Sequence, residues 1–144
     1  MKVKIKKLHK DAVIPTYSKN GDAGMDLTAV SRDYDMDNDT WSFKTGLSFE
    51  IPKGYVGLLF PRSSIFKKNV LLTNSVGVLD SGYRGEVMFK FKEVSEFGKD
   101  DLVYEIGDRI GQIIIMPYPQ IEFEEVEELS ETERGTGGYG STGN

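Results

Sequence analysis

The sequence contains no cysteine and only one histidine, His9, among its 144 residues. Without cysteine the chain cannot form a disulfide, a thiolate nucleophile or a cysteine-ligated zinc site. A single histidine excludes metal sites that need two, and a Ser-His-Asp triad would have to use His9, which lies among lysines near the N-terminus and is interpreted as a surface residue. The lack of cysteine is typical of the reducing cytoplasm, where we expect this protein to act.

Long apolar runs and an excess of positive charge are also missing. The basic start, MKVKIKKLHKDAV, never opens into the apolar stretch of a secretory signal, and no segment is apolar for long enough to span a membrane. The 18 Lys and Arg against 23 Asp and Glu give a net charge of -5, the wrong sign for a general nucleic-acid binder. We therefore expect no association with a membrane and no direct nucleic-acid partner. A small anionic ligand is compatible with this charge if a few cations converge at its site or a divalent metal screens it.

The apolar residues that are present follow the pattern of β-strands. Apolar and polar residues alternate in KVKIKK, WSFKTGLSFEI, GEVMFKFKEV and QIEFEEV, which is the period of half-buried strands. Shorter apolar runs at 56–60, 102–106 and 113–116 favour strands buried on both faces, and one short helical turn is predicted from Ser63 to Lys68. Many short strands separated by Gly, Pro and Asn-Asp turns predict an all-β sandwich or barrel.

The C-terminal stretch RGTGGYGSTG, residues 134–143, follows an acidic segment interpreted as a last strand and linker. Gly, Ser and Thr bury too little apolar area to order a chain end, so one interpretation is a solvated tail. The other is a flexible arm that wraps a ligand carrying phosphate and an aromatic ring, because Arg134 and Tyr139 have no use in a spacer. The predicted division is a β domain at 1–133 and an arm at 134–144.

Two segments place glycine or a turn beside charge in the first half of the chain. In DAGMDL, Gly24 sets a tight backbone beside the Asp26 carboxylate, although a turn or strand-start cap would use the same residues. In FPRSSI, Arg62 is followed by Ser63 and Ser64, so a guanidinium, two hydroxyls and free N–H groups could hold phosphate oxygens. The alternative for the serines is a simple helix cap.

Two further segments follow in the second half. In GVLDSGYRGEV, residues 77–87, Asp80 lies at a glycine-flanked turn, which is either an ordinary hairpin or the site of a carboxylate that activates water. A hydrolase without cysteine or a suitable histidine needs such a carboxylate. In GDRIGQIII, Asp108 and Arg109 are most simply a turn residue and an ion pair, while Gln112 is an amide in an apolar strand and requires a partner.

Taken in this order, DAGMDL, PRSSI, GVLDSGYRGEV, GDRIGQ and RGTGGYGSTG resemble the five motifs of the trimeric dUTP diphosphatase (dUTPase) family. The resemblance runs from about Asp22 to Gly143. Three departures bear on affinity more than on activity: Ile65-Phe66 replaces a Leu-Ala or similar pair, Gly111 stands where alanine is usual, and Tyr139 replaces the more frequent phenylalanine. The segment 92–105 matches no motif.

The resemblance implies hydrolysis of dUTP to dUMP and pyrophosphate with Mg2+, by a homotrimer of jelly-roll-like subunits whose active sites lie between chains. It implies that Asp80 deprotonates the attacking water, and that Mg2+ needs no direct protein ligand, with Asp26 acting at most through water. The implied phosphate-binding residues are Arg62, Ser63, Ser64, Gln112, Arg134, Gly140, Ser141 and Thr142.

The implied nucleoside-binding residues are Asn74, Gly77, Val78, Leu79, Asp80, Tyr83, Met88 and Tyr139. Tyr139 would stack on uracil, Tyr83 would exclude a ribose 2′-hydroxyl, and backbone groups of a hairpin from Asn74 to Met88 would read the base. Two alternatives stay open: a dCTP deaminase-like relative with the same fold, and a dUTPase-like trimer whose nucleotide state governs binding to a regulatory protein partner.

Overall fold

The computed structural model describes residues 1–94 and 103–138. Within these residues the predicted all-β class is confirmed, because the regular elements are ten strands and one short 3-10 helix. No helix in the described residues is long and apolar enough to cross a membrane. The strands are β1 (Lys4–Lys7), β2 (Met25–Thr28), β3 (Ser31–Asp35), β4 (Thr40–Lys44), β5 (Leu47–Glu50), β6 (Tyr55–Phe60), β7 (Val70–Leu72), β8 (Gly77–Leu79), β9 (Met88–Glu93) and β10 (Arg109–Pro117), and the 3-10 helix is Ser63–Lys67.

The strands form three antiparallel sheets in the described residues. One four-stranded sheet has the order β2-β10-β6-β8, a second has the order β3-β4-β9-β7, and β1 pairs with β5. Side chains from these sheets form one apolar cluster, in which Phe43, Phe91 and Ile113 are completely buried. Each such side chain contributes about 1.5–3 kcal/mol of burial free energy, so the cluster holds the sheets together.

Most of the predicted strands appear where the alternation placed them. KVKIKK contains β1, WSFKTGLSFEI contains β4 and β5 with a turn at Gly46, and GEVMFKFKEV contains β9. In β9 the aromatic rings of Phe89 and Phe91 are buried while the intervening Lys90 is exposed, as a period of two requires. The predicted helical turn is the 3-10 helix.

Two predicted strands are wrong. Residues 120–126, QIEFEEV, form no strand, and Ile121 and Phe123 are 65% and 89% exposed, because nothing described in this single chain pairs with them. Residues 103–106 also form no strand, although Val103 and Tyr104 are buried as the apolar run predicted. There the backbone turns at Gly107, with φ of 92°, while Leu102 lies outside the described residues.

The hairpin interpretation of GVLDSGYRGEV is also wrong. β8 pairs with β6 in one four-stranded sheet, whereas β9 pairs with β4 and β7 in the other. Residues 80–87 therefore cross between the two sheets instead of connecting paired neighbours. Alternation cannot distinguish these cases, because both put a turn between two strands.

Candidate functional site

Three charged side chains from separate parts of the sequence meet at one end of the β2-β10-β6-β8 sheet. Arg62 Nε donates to Asp26 Oδ1 at 2.8 Å, and Arg109 Nη1 donates to Asp26 Oδ2 at 3.0 Å. The Asp26 and Arg62 side chains are 24% and 26% exposed, and that of Arg109 is 56% exposed. We call these three residues the arginine cluster. Its formal charge is +1 in a protein of net charge -5, which suits an anionic ligand.

Strand register explains why these residues meet. Asp26 of β2 lies opposite Gln112 of β10, and Gln112 lies opposite Phe60 at the end of β6. Arg62 follows Phe60 by two residues, after Pro61 ends the strand because proline lacks the N–H that a ladder needs. The first, second and fourth motifs of the sequence are therefore joined side by side.

The amide of Gln112 has the partner that the sequence required. Its Nε2 donates to the carbonyl oxygen of Pro61 at 3.1 Å, which ties β10 to the segment that carries Arg62. A Cβ on Gly24 would lie 2.3 Å from Gln112 Oε1. Gly24 is thus needed for close approach of this amide as well as for a tight backbone.

The serines of the second motif start the 3-10 helix. No side-chain cap hydrogen bond is formed at its first turn, so the helix-cap alternative for these hydroxyls is not supported. The Ser64 hydroxyl accepts a long hydrogen bond of 3.4 Å from Arg62 Nη1, and Ser63 is exposed. Both hydroxyls are therefore available beside the arginine cluster.

Tyr104 is a buried residue whose hydroxyl is influenced by the charge of Arg62. Its ring packs on Phe43 and Phe91, and burial raises the pKa of its hydroxyl, an effect that the positive charge of Arg62 opposes. The charge of Arg62 is thus felt by a group in the apolar core, where a charge interaction is screened less than in open water.

A second group of predicted residues surrounds an open cavity of about 180 Å3, lined by residues of both four-stranded sheets and of the segment that joins β8 to β9. We call it the inter-sheet cavity. Six of the eight predicted nucleoside-binding residues line it together with three apolar or acidic neighbours, and the lining consists of Leu59, Asn74, Gly77, Val78, Leu79, Tyr83, Glu86, Val87 and Met88.

The turn between the sheets is braced by its own hydrogen bonds. The Tyr83 N–H donates to the Asp80 carbonyl at 3.0 Å, and Arg84 Nη1 donates to the carbonyls of Ser81 and Tyr83 at 2.7 and 2.8 Å. The Glu86 carboxylate accepts from the Gly46 N–H at 2.9 Å, which anchors the turn to the loop between β4 and β5. These contacts hold Asp80, which is exposed, in a defined place.

The Tyr83 ring is positioned by Gly85. The hydroxyl of Tyr83 donates to the Glu86 carbonyl at 3.2 Å, and a Cβ on Gly85 would lie 2.3 Å from that hydroxyl. Only glycine allows the ring to lie across the turn in this way. The cavity wall therefore requires glycine at position 85 for the Tyr83 ring to take this position.

β8 forms the cavity wall with one free edge. Among the described residues it is the last strand of its sheet and pairs only with β6, from Gly77 opposite Leu59 to Leu79 opposite Gly57. Backbone N–H and C=O groups on the other edge are therefore available to a ligand in the cavity. Such groups can distinguish the donor and acceptor pattern of a nucleobase.

The arginine cluster and Asp80 do not meet within one chain. Asp80 follows Leu79, which pairs with Gly57, so it lies four residues along β6 from the position of Gln112 and two strands across. At about 3.3 Å per residue and about 4.8 Å per strand, the Cα atoms of Gln112 and Asp80 are on the order of 16 Å apart. Arg62 lies two residues beyond Phe60 on the line of β6, which is six residues along and one strand across from Asp80, so their Cα separation is on the order of 20 Å. In the described residues no hydrogen bond or ion pair connects the two groups.

Of the predicted arm residues, Arg134 is described and Tyr139, Gly140, Ser141 and Thr142 lie outside the described residues. Arg134 is exposed, and its Nε donates to the Gly137 carbonyl at 3.1 Å within its own turn. The described part of the chain contains no group of three or more His, Asp or Glu side chains that could hold a metal ion.

Comparison of the sequence with known protein families identifies the family to which the chain belongs. A model of the family described as dUTPase matches residues 10–143, nearly the whole chain. The chain belongs to the dUTPase family. The resemblance inferred from five short motifs is thereby confirmed, and the matched range includes both the arginine cluster and the inter-sheet cavity.

Curated relatives and solved structures agree with this membership. The chain is 42% identical to the deoxyuridine 5'-triphosphate nucleotidohydrolase of Nautilia profundicola, over 99% of both chains, and 41% identical to that of Clostridioides difficile, over 98% and 97%. It is also similar to the Staphylococcus bacteriophage 80alpha dUTPase with dUPNHPP, with 28% identity, a TM-score of 0.83 and 99% coverage of both chains. The hydrolase names favour a dUTPase over the deaminase alternative.

One departure from the usual dUTPase pattern has a clear structural reason. A Cβ on Gly111 would lie 2.2 Å from the Phe89 ring, which is 1% exposed. The phenylalanine therefore fills the space that the usual alanine methyl would need. The departure reflects packing beneath the site.

Sequence reasoning missed the role of two site residues. Arg109 was interpreted only as half of an ion pair, and its partner Asp26, on another strand, could not be identified from spacing. Glu86 lines the cavity and anchors the turn, but a glutamate at the start of a strand carries no distinctive signal. Leu59 and Val87, which also line the cavity, appeared in the sequence as ordinary core residues.

Proposed function

We propose that this chain hydrolyses dUTP to dUMP and pyrophosphate. The observation that carries the proposal is the pairing of a positively charged cluster at Arg62 with a cavity walled by the free edge of β8. The first suits phosphates and the second suits a nucleoside. Relatives that align with almost the whole chain carry the name deoxyuridine 5'-triphosphate nucleotidohydrolase, which supports the same substrate.

Asp80 is the proposed general base. With no cysteine in the chain and with His9 exposed and its Nδ1 accepting from the Asp11 N–H, a carboxylate is the available group that can take a proton from water. Asp80 would orient the water and accept its proton as the oxygen attacks the α-phosphorus. Pyrophosphate then leaves with the electrons of the broken P–O bond.

Arg62, Ser63, Ser64 and Gln112 are proposed to bind the phosphates nearest the scissile bond. The guanidinium and hydroxyls supply donors to the oxygens, and charge-assisted hydrogen bonds of this kind are stronger than neutral ones. Held in place before the reaction, they would stabilise the negative charge that develops in the transition state.

The donor set fits Mg2+ bound mainly by phosphate oxygens and water. The described residues offer no cage of carboxylates, and both Asp26 oxygens accept from arginine while keeping a lone pair for a metal-bound water. When bound, Mg2+ neutralises part of the triphosphate charge and fixes its geometry. Asp26 would hold it through water at most.

The inter-sheet cavity is proposed to bind deoxyuridine. The free edge of β8 would accept uracil and present a donor to the amino group of cytosine, which is unfavourable because two donors meet. Tyr83, held by Gly85, would lie against C2′ of the sugar and exclude a ribose hydroxyl. Asn74, Val78 and Met88 complete the wall.

We propose that the active unit is a homotrimer whose sites lie between chains. Asp80 must reach the same phosphate that Arg62 holds, yet within one chain their Cα atoms are on the order of 20 Å apart, more than the two side chains span. A neighbouring subunit that brings its own Asp80 and cavity to the arginine cluster closes this gap. Closed rotational symmetry then gives every subunit one complete site.

The segment 120–126 supports assembly as well. Its alternating Ile121 and Phe123 are exposed, whereas β1 has a free edge beside an apolar groove in the described residues. Glutamates alternate with the apolar residues of the segment and lysines with Ile5 of β1, so the charges are complementary. If residues 120–126 of a second copy paired with β1 as a strand, they would cover this groove and bury Ile121 and Phe123.

The arm at 134–144 is proposed to close the site from another chain. Arg134 would bind the terminal phosphate with Gly140, Ser141 and Thr142, and Tyr139 would stack on uracil. Glycines allow the arm backbone to approach the triphosphate closely. The interpretation as a solvated tail predicts instead that removing the arm leaves activity intact.

The substrate is tested by incubating the pure protein with each dNTP, and with UTP, in the presence of Mg2+. We expect pyrophosphate and dUMP from dUTP, at least a hundredfold faster than product from dCTP, dTTP or UTP. Ammonia release from dCTP would instead favour the deaminase alternative, and absence of turnover with dUTP would refute the proposal.

The crossing arm is tested by mixing two inactive variants. A deletion of residues 134–144 keeps Asp80, and Asp80→Asn keeps the arm. Refolded together in equal amounts, they should give intact Asp80 and an intact arm from different chains at about a quarter of the sites. Zero recovery from verified mixed trimers would refute the crossing, and full activity of the deletion alone would show a solvated tail.

A further inference from the structure

A β-bulge at Ile110 places Arg109 in the arginine cluster. Arg109 pairs with Thr28 and Gly111 pairs with Leu27, so β10 advances by two residues where β2 advances by one. Ile110 is the extra residue. In a regular strand Ile110 would pair with Thr28 and would share the face of Asp26 and Gln112. The extra residue lets Ile110 turn into the core, where it is completely buried, and puts Arg109 on the Asp26 face instead.

Arg109 changes the charge balance around Arg62. Asp26 accepts Arg62 on one oxygen and Arg109 on the other, so the cluster keeps one net positive charge. Without Arg109, Asp26 and Arg62 would form a neutral pair, and the free oxygen Oδ2 would draw a second N–H of Arg62 toward it. That rearrangement would turn the guanidinium away from an anionic ligand and leave no net positive charge beside it.

We propose that Arg109 is a positioning residue for the triphosphate. By occupying Asp26 Oδ2, it keeps Asp26 from neutralising Arg62 and leaves the terminal nitrogens of Arg62 directed toward the phosphates. This inference rests on the proposed function of dUTP hydrolysis and names the residue that sets the charge of its phosphate site. It assigns a role in binding to a side chain that touches Asp26 and not the reacting atoms.

The test compares two ligands that differ in phosphate number. Binding of dUMP and of dUpNHpp, the imido analogue of dUTP, is measured by calorimetry with Mg2+ for the wild type and Arg109→Gln. We expect the Kd of dUpNHpp to rise about tenfold, which is about 1.4 kcal/mol, and that of dUMP to rise less than threefold. A purely structural role would weaken both ligands equally, and that result would overturn the proposal, as would an unchanged Kd for dUpNHpp.

Lys92→Gln is a matched control because its geometry is similar. Lys92 is 57% exposed and lies 3.6 Å from Asp39, whereas Arg109 is 56% exposed and lies 3.0 Å from Asp26. Both changes remove one half-exposed cation paired with an aspartate, so the general effect of net charge is the same. We expect Lys92→Gln to leave both Kd values within twofold of wild type, and an equal loss in both variants would overturn the specific role of Arg109.

Two further variants test the route through Asp26. Arg109→Lys keeps the charge and should recover most of the affinity for dUpNHpp, so equal weakness of the lysine and glutamine variants would refute the charge argument. In an Asp26→Asn background, Arg109→Gln should cost at least threefold less than in the wild type, whereas additive effects would refute action through Asp26.

The failures of the two proposals are distinguishable. A wild type that neither binds dUpNHpp nor hydrolyses dUTP would overturn both. A wild type that does both, with an Arg109→Gln variant that matches it, would overturn only the role of Arg109.

Discussion

Gly85→Ala is the most direct test of the sugar selectivity proposed for Tyr83, because it moves the Tyr83 ring without removing it. The added Cβ would lie 2.3 Å from the Tyr83 hydroxyl, while ordinary contact begins at 3.4 Å. The ring must therefore move by about 1 Å, since overlapping atoms repel steeply. It would also lose its hydrogen bond to the Glu86 carbonyl, which is 3.2 Å long in the present structure.

The size of the effect follows from these two changes. A neutral hydrogen bond contributes about 1 kcal/mol, and a reacting group displaced by about 1 Å can lose up to a hundredfold in rate. We expect kcat/KM for dUTP to fall about tenfold. UTP hydrolysis should stay close to its wild-type value, because the displaced ring would no longer fill the space of the 2′-hydroxyl, and the UTP to dUTP ratio of kcat/KM should therefore rise about tenfold.

The assay measures kcat/KM for both nucleotides in Gly85→Ala, Tyr83→Ala and Gly82→Ala. Gly82 lies in the same turn, but a Cβ there would have no atom within 4 Å, so its variant is a matched control that should keep the wild-type ratio. Tyr83→Ala should raise the ratio at least as much as Gly85→Ala. An unchanged ratio in Tyr83→Ala would show that discrimination lies elsewhere, and an equal change in Gly82→Ala would refute the steric reasoning.

Three other changes test the site and its support. Asp80→Asn should lower kcat about a hundredfold while nucleotide binding stays within threefold, and retention of a tenth of wild-type turnover would remove Asp80 from the role of base. Gly24→Ala should displace the Gln112 amide and lower kcat/KM about tenfold in dUTP assays, with an unchanged value contradicting the contact. Gly111→Ala should destabilise the fold by about 1–3 kcal/mol in urea unfolding because its methyl overlaps the Phe89 ring, and equal stability would show that the ring moves freely.

The sequence predicted the strands whose alternation is satisfied within one chain. In β9 the buried Phe89 and Phe91 alternate with exposed lysines, and the sheet supplies both a core face and a solvent face. Residues 120–126 have the same pattern but lie exposed, because a strand also needs a partner, which local periodicity does not identify. The alternation of apolar and polar residues therefore predicts which segments can form strands, but it does not identify the partner strand.

The site was predictable to the extent that single residues reveal chemistry. Gln112, an amide inside an apolar strand, indicated a buried hydrogen bond, and the structure gives it the Pro61 carbonyl. Arg109 could not be assigned, because its position depends on a bulge that the sequence GDRIGQ does not announce. The shift of one residue decides whether an arginine or an isoleucine faces Asp26, and periodicity cannot resolve a shift of that size.

The segment between β8 and β9 crosses from one sheet to the other. This is why the motifs identified a family but did not show whether their residues form one site within a chain. Each motif specifies a short stretch whose residues meet locally, and the strand register then places Arg62 and Asp80 on the order of 20 Å apart. With the roles proposed for these residues, a single chain would hold a phosphate half and a nucleoside half that are too far apart to act together on one molecule of dUTP. If the halves combine only between subunits, dilution below the assembly range should abolish hydrolysis while dUMP, which needs mainly the nucleoside half, still binds. Activity that stays proportional to protein concentration in verified monomers would show instead that one chain closes on its own.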